Sequence, residues 1–259
     1  MNEPRVPRIF DRSRRAMRFD RARRYHDRQG SAVTDTCGSA AYVFDDMIED
    51  VLDRLDFMRF DTGRAEVVGD MTGSLAAKLS RRGFDARQRD LRALDEETPW
   101  GGERRDLVVS LETLGTLNDL PGALLHARAA LADEGLYLAQ MIGAGSLSAL
   151  RNIMLAADGD SPAARIHPQV DNRSAAALLQ RAGFSRQVVD SRSLTVRFSS
   201  FARLIADLRQ QGLTGVLADR PPPLTKDGYK RALAAFDDLR DDEGKVSETF
   251  EILALTGWR

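Results

Sequence analysis

Apolar and polar positions along this chain follow two periods, and the switches between them predict its elements. Residues 40–55 put Val43, Phe44, Met47, Ile48, Val51, Leu52 and Leu55 on one face at helical spacing, the pattern of an amphipathic helix. Residues 65–69 read as a short buried strand, and 74–82 as a helix stopped by Gly83. Residues 85–90 are too polar for a central parallel strand, whereas 106–110 and 136–142 are near-continuous apolar runs suited to one. Between those runs Asn118 and Asp119 are cap candidates, Pro121 falls in the first turn, and a helix over 121–132 stops near Gly135. Further on, helices are predicted over 146–157, 172–182, 201–211 and 225–239. Short strands are predicted at 185–190 and 194–198, and a final strand at 249–256. Strands alternating with helices predict an α/β fold with a largely parallel, Rossmann-like sheet. The late strands predict an antiparallel edge.

A chain of 259 residues fits one large domain with an extension, or two small ones. Its net charge of -1 argues against a dedicated nucleic-acid binder. The charge is uneven, however, because residues 1–38 form an arginine-rich arm ahead of a domain over 39–259. Residues 8–28 have weak helical periodicity, with Phe10, Met17, Arg21 and Arg24 on one face. That reads either as a solvated helix or disordered lead, or as an arm for an acidic protein partner or a phosphate-bearing surface. The single cysteine, Cys37, excludes an internal disulfide and a cysteine-based metal site. It fits a reducing compartment such as the bacterial cytoplasm. The arginine content of the arm is like that of a mitochondrial leader, but its acids count against a matrix address. No apolar run reaches the roughly 18 residues of a membrane span.

The chemistry concentrates at Gly69-Asp70-Met71-Thr72-Gly73. A strand, a glycine turn and a helix start let a cofactor approach the backbone and meet the helix N-terminus. A ribose-binding acid belongs about 17–20 residues past such a turn, and Asp90 lies in that window. The interval from Asp90 to Asp106 is too short for a further helix and strand, so one βα unit is shortened or missing. Glu112 follows the strand at 106–110 and is a candidate catalytic group. His167, in a proline-containing loop near Asp171, is the other, as acid/base or ligand. No second histidine or carboxylate pair is spaced to complete a metal triad with it. His126 lies within a helix and His26 in the arm, and both read as structural.

Residues 105–110, 118–124 and 131–137 resemble the strand, loop-helix and strand that follow the cofactor loop in class I S-adenosylmethionine-dependent methyltransferases. Ile9-Phe10-Asp11-Arg12, residues 145–151 and 166–171, Arg181-Ala182-Gly183-Phe184 and Leu255-Thr256-Gly257-Trp258 resemble one branch. That branch is the family of mitochondrial complex I assembly factor 5 and its alphaproteobacterial relatives. The biotin-synthesis methyltransferases are more distantly similar. The resemblance implies a class I methyltransferase sheet with a helical lid inserted around 146–245, and S-adenosylmethionine as cofactor. It implies cofactor contacts at Gly69, Asp70, Thr72, Gly73, Asp90, Asp95 and Leu111. Asp95 and Glu96 resemble the acidic loop on the adenine side. The family's acidic–x–Gly–x–Gly–x–Gly motif is eroded here, with Val67 at the acidic place and Met71 at the middle glycine. The aromatic residue that relatives carry near Leu114-Gly115-Thr116 is also absent. The family therefore implies three functions: a methyltransferase of unknown acceptor, a non-catalytic assembly factor holding a respiratory-complex or other protein, or an arginine hydroxylase.

Overall fold

The computed structural model describes residues 7–29 and 41–259; Cys37 lies outside them. The chain opens with helix α1 (Arg12–Gln29), then α2 (Tyr42–Met58) and strand β1 (Gly63–Val68). Next come α3 (Ser74–Arg81), β2 (Phe84–Gln88), β3 (Arg105–Leu111), α4 (Leu120–Ala130) and β4 (Leu131–Ile142). The remainder is α5 (Ser148–Asp158), α6 (Asn172–Arg181), β5 (Ser185–Phe198), α7 (Phe201–Gln210), α8 (Lys226–Asp238) and β6 (Val246–Trp258).

The six strands form one sheet in the order β2-β1-β3-β4-β6-β5. β2, β1, β3 and β4 run parallel, and β6 is antiparallel to both β4 and β5. β3 and β4 are buried almost throughout, as their apolar sequences require. Strand order reverses between β1 and β3, and in open α/β sheets the crevice beyond that reversal is where ligands bind. Residues 89–104 hold only turns, so the shortened βα unit is real. No described helix is long and apolar enough to cross a membrane.

One face of the sheet is covered by α2, α3, α5, α7 and α8, with Phe44, Ile48, Leu75, Ile153, Leu204 and Phe236 in the shared core. The predicted stripe of α2 is the buried one, except that Leu52 is only partly covered. The other face is covered by α4 and α6, through Leu124 and Leu179 against Tyr137 and Leu255. Burying each such side chain contributes about 1.5–3 kcal/mol.

The polar stretch after Gly83 is, as its polarity requires, not a central strand: β2 runs at the outer edge, where alternate side chains face water. Two local readings are corrected. The two short strands expected at 185–190 and 194–198 are the single strand β5. Its polar centre is held by pairing Ser191, Arg192 and Ser193 to Leu253, Ile252 and Glu251 of β6. The arm is helical, but the face holding Met17, Arg21 and Arg24 is the exposed one. Its inward face is Arg15, Arg18 and Ala22. Hydropathy misses that face because two of its members are arginines, buried against carboxylate and carbonyl oxygens.

Gly69 and Gly73 both have positive φ, at 86° and 70°. A Cβ on Gly69 would lie 2.1 Å from the Leu111 carbonyl oxygen, whereas one on Gly73 would meet nothing within 3.7 Å. Gly69→Ala should therefore cost at least about 3 kcal/mol, from strain and a backbone clash together. Gly73→Ala should cost only about 1 kcal/mol, from strain alone. Urea unfolding of both variants separates the two; equal losses would contradict the close approach of β3 to the turn.

Candidate functional site

The turn after β1 uses its polar groups on itself. Asp70 is wholly buried. Its Oδ1 accepts from the Thr72 amide at 2.8 Å and the Thr72 hydroxyl at 2.6 Å, and its Oδ2 accepts from the Leu75 amide at 2.8 Å. The Leu75 amide is one of the free donors of the first turn of α3, the groups that would otherwise meet an anionic ligand. The Asp70 carbonyl in turn accepts from the Gln88 side chain at the end of β2. Met71, 3% exposed, points into the crevice, and its Cε lies 3.0 Å from where a Cβ on Gly212 would stand.

The acids expected on the ribose and adenine side are placed differently from one another. Asp90 is exposed, and its carboxylate accepts from the Arg92 amide at 2.9 Å. Asp95 pairs with Arg12 of α1 at 2.5 Å. Glu96, only 2% exposed, pairs with Arg15 of α1. Arg15 also donates from Nε to the Thr116 hydroxyl at 3.0 Å and from a terminal nitrogen to the Thr113 carbonyl at 3.4 Å. Asp20 of α1 pairs with Arg92 in the same loop. Helix α1 is thus fastened over the ends of β1, β2 and β3. The crevice beneath it, between Gly69, Met71, Leu111 and the α1 residues Arg15, Arg18 and Phe19, retains about 20 Å³.

A second space opens beside it, on the β3 and β4 side. This cavity of about 450 Å³ is walled by Ile142, Leu150, Met154, Ile205, Leu213 and other apolar groups. Arg14, Arg18, Arg165 and Arg220 also reach it. Arg165 is neutralised by Asp158, with Nε 2.8 Å and 2.9 Å from the two carboxylate oxygens. Arg18 is buried and gives one bond, to the Thr214 carbonyl at 2.8 Å. Its burial brings its pKa down to about 10, against the pull of Glu112. Arg220 is exposed at the rim and has no ion-pair partner among the described residues.

Glu112 lies at the end of β3 in the left-handed region, with φ 51°. Non-glycine residues are held in that region only by surrounding structure, often at functional sites. Its amide donates to the Gln140 carbonyl at 2.7 Å, and its Oε2 accepts from the Ile142 amide at 2.7 Å. Burial raises its pKa, opposed by that amide and by Arg18 and Arg15. Glu112 and Arg18 line both the crevice and the cavity.

His167 is a latch. Its Nε2 accepts from the Val216 amide at 2.8 Å, and its ring meets Phe10 edge-on at 5.2 Å. Burial, helped by Arg18, lowers its pKa to about 4, so the ring is neutral. Asp171 is engaged elsewhere, capping α6 through the Ser174 amide at 2.7 Å. Among the described residues no three His, Cys, Asp or Glu side chains are grouped to hold a metal ion. His26 bonds the Gln210 carbonyl at 3.2 Å. Asp119 caps α4, but Asn118 does not. Its side-chain oxygen accepts from the Ile9 and Phe10 amides, each at 2.8 Å, and so ties the entry to α1. Sequence reasoning missed the inward roles of Arg15 and Arg18. Arginines at i and i+3 carry no signal of their own until the acids facing them are known.

Two outcomes follow. Glu96→Gln leaves the Arg15 guanidinium buried against a neutral amide. It should cost about 2–4 kcal/mol and raise amide exchange in α1 while β1 and β3 stay protected. Unchanged exchange would show that the pair does not hold the helix. For His167 the folded protein excludes a proton that the unfolded chain takes up. Its stabilising share is complete above about pH 6.5 and declines as pH falls toward 4, by up to about 3 kcal/mol. Urea midpoints across that range should fall in the wild type and fall less in His167→Gln.

The comparisons agree with this architecture. No family model matches the chain. The mouse mitochondrial protein Arginine-hydroxylase NDUFAF5 is 31% identical over 172 residues, covering 64% of this chain and 50% of that protein. The chain therefore spans about half the length of that relative. Malonyl-[acyl-carrier protein] O-methyltransferase 1 of Coxiella burnetii is 26% identical over 246 residues, 86% of each chain. Among solved structures, the 1,6-didemethyltoxoflavin-N1-methyltransferase of Burkholderia thailandensis was solved with bound 1,6-didemethyltoxoflavin and S-adenosylhomocysteine. It matches with TM-score 0.50 at 15% identity over 100% of this chain and 93% of that one. The chain is thus similar in sequence to NDUFAF5 and to a malonyl-[acyl-carrier protein] O-methyltransferase, and its sheet has the Rossmann-like fold of the class I S-adenosylmethionine-dependent methyltransferase superfamily.

Proposed function

We propose that the protein is an S-adenosylmethionine-binding member of this superfamily whose donor crevice is closed by α1, with an acceptor site in the adjoining cavity. The observation that carries the reading is that Arg18 and Glu112 border both spaces. A donor on one side and an acceptor on the other would meet at the end of β3. The turn's backbone suits the cofactor, since Gly69 and Gly73 keep the positive φ that lets a ligand approach. The volume does not suit it while α1 is docked. Ligand sites run to roughly 300 Å³ or more, and the crevice holds about 20 Å³.

Entry of the cofactor therefore needs α1 to withdraw. Withdrawal frees Asp95 and Glu96 from Arg12 and Arg15, and with Asp90 they are the acids available to the ribose and adenine. When bound, the cofactor supplies an electrophilic methyl group, and methyl transfer needs mainly alignment. In the cavity, apolar walls and the cations Arg14, Arg18 and Arg220 favour an apolar acceptor carrying an anionic group. That class includes the acid of a malonyl-[acyl-carrier protein], the substrate in the Coxiella burnetii relative's name. A cytoplasmic site of action fits the bacterial relatives.

A second reading is a non-catalytic assembly factor that binds a respiratory-complex subunit or another protein. Val67 and Met71 in the cofactor motif, and the filled crevice, favour it. The name of the mouse relative suggests arginine hydroxylation, a reading that rests on the relative alone. Isothermal titration with S-adenosylmethionine and S-adenosylhomocysteine distinguishes the first two. The expected result is weak binding to the wild type and at least about tenfold tighter binding, near 1.4 kcal/mol, to Arg12→Ala/Arg15→Ala. No heat and no thermal shift in either protein would leave the binding-module reading.

A further inference from the structure

The outward face of α1 carries a second, separate feature. Met17, Arg21, Arg24 and Arg28 stand at i, i+4, i+7 and i+11, one line about 16 Å long on the helix surface. All four are exposed, Met17 at 59%. The line borders a groove of about 600 Å³ with Tyr25 on one flank and Arg92 on the other, and Arg209 of α7 extends it. Asp20 is the acid lining this groove, and Arg92 already pairs with it. Arg24, Arg28 and Arg209 have no ion-pair partner among the described residues. Asp27 is the other acid nearby on the helix. In a chain of net charge -1, this is a concentrated and uncompensated positive strip.

We propose that this groove docks an acidic protein segment whose carboxylates follow the same line of arginines. Charge complementarity argues for the occupant, because each guanidinium can bind a carboxylate through two parallel hydrogen bonds. A membrane surface is the poorer match. Interfacial helices bury a broad apolar face, and here Met17 is the single exposed apolar residue in the line. Single-stranded nucleic acid is also a poorer match, since it needs successive aromatic platforms and the groove has Tyr25 alone. The surface faces away from the crevice and stands whether or not the crevice takes a cofactor.

The test is fluorescence anisotropy of a labelled poly-glutamate peptide against the full chain, at low salt and then at rising salt. Three proteins are compared: the wild type, Arg21→Glu/Arg24→Glu/Arg28→Glu, and Arg151→Glu/Arg173→Glu/Arg181→Glu. The last carries the same charge change on exposed positions outside the groove. The expected result is salt-sensitive binding that the α1 reversal weakens at least about tenfold and the control reversal leaves within about twofold. Equal weakening by both would overturn the proposal, because net charge alone would explain it. Tighter binding to phosphatidylserine vesicles or to a single-stranded RNA, lost in the α1 variant, would overturn the acidic-protein assignment. Circular dichroism of both variants confirms that the fold is retained.

Discussion

The position of α1 rests on one buried arginine. A guanidinium at 9% exposure needs a carboxylate and further acceptors close by. Arg15 finds them in two stretches distant in sequence, Glu96 in the loop after β2 and the Thr113 carbonyl and Thr116 hydroxyl after β3. When docked, the helix therefore has a single register. Once there, it brings Arg18 between Glu112 and Thr214, and Phe19 over Met71. The same docking lets Phe10 pair with Leu217 and meet His167. The loop over 213–218 is closed by these contacts and not by a core of its own.

The turn after β1 shows how packing alone can fix a backbone geometry. Gly69 is required by packing, because the Leu111 carbonyl leaves no room for a side chain. It would be kept with or without a ligand. Asp70 completes the turn by satisfying donors that a bound molecule would otherwise satisfy. Met71 fills volume where a glycine would leave it open. A positive-φ glycine pair is thus evidence about backbone geometry first. The state of the crevice depends on the side chains above it.

Much of the fold was legible in the sequence because it follows from burial on two periods. The stripe of α2 and the apolar runs of β3 and β4 each have a single reading. The short interval between Asp90 and Asp106 announced the missing unit by length alone. Legibility ended where stability comes from polar pairing. The inward face of α1 contains two arginines, the centre of β5 is Ser191-Arg192-Ser193, and Asn118 looks like a helix cap but secures another segment. Each depends on a partner distant in sequence, and no periodicity encodes that partner. Of the candidate site residues, Gly69, Leu111 and Glu112 meet around the crevice. Asp95 is spoken for by Arg12, and His167 holds the loop over 213–218.

One helix presents both surfaces, and thermodynamics ties them together. Whatever enters the crevice must lift α1, and whatever grips Arg21, Arg24 and Arg28 acts on that same helix. If the gripping partner prefers the docked helix, each occupant weakens the other by the same factor. If it prefers the lifted helix, each strengthens the other equally. The sign is set by geometry, and the reciprocity holds regardless. On the two proposed readings, occupancy of the interior would be felt on the exterior through an element of 18 residues.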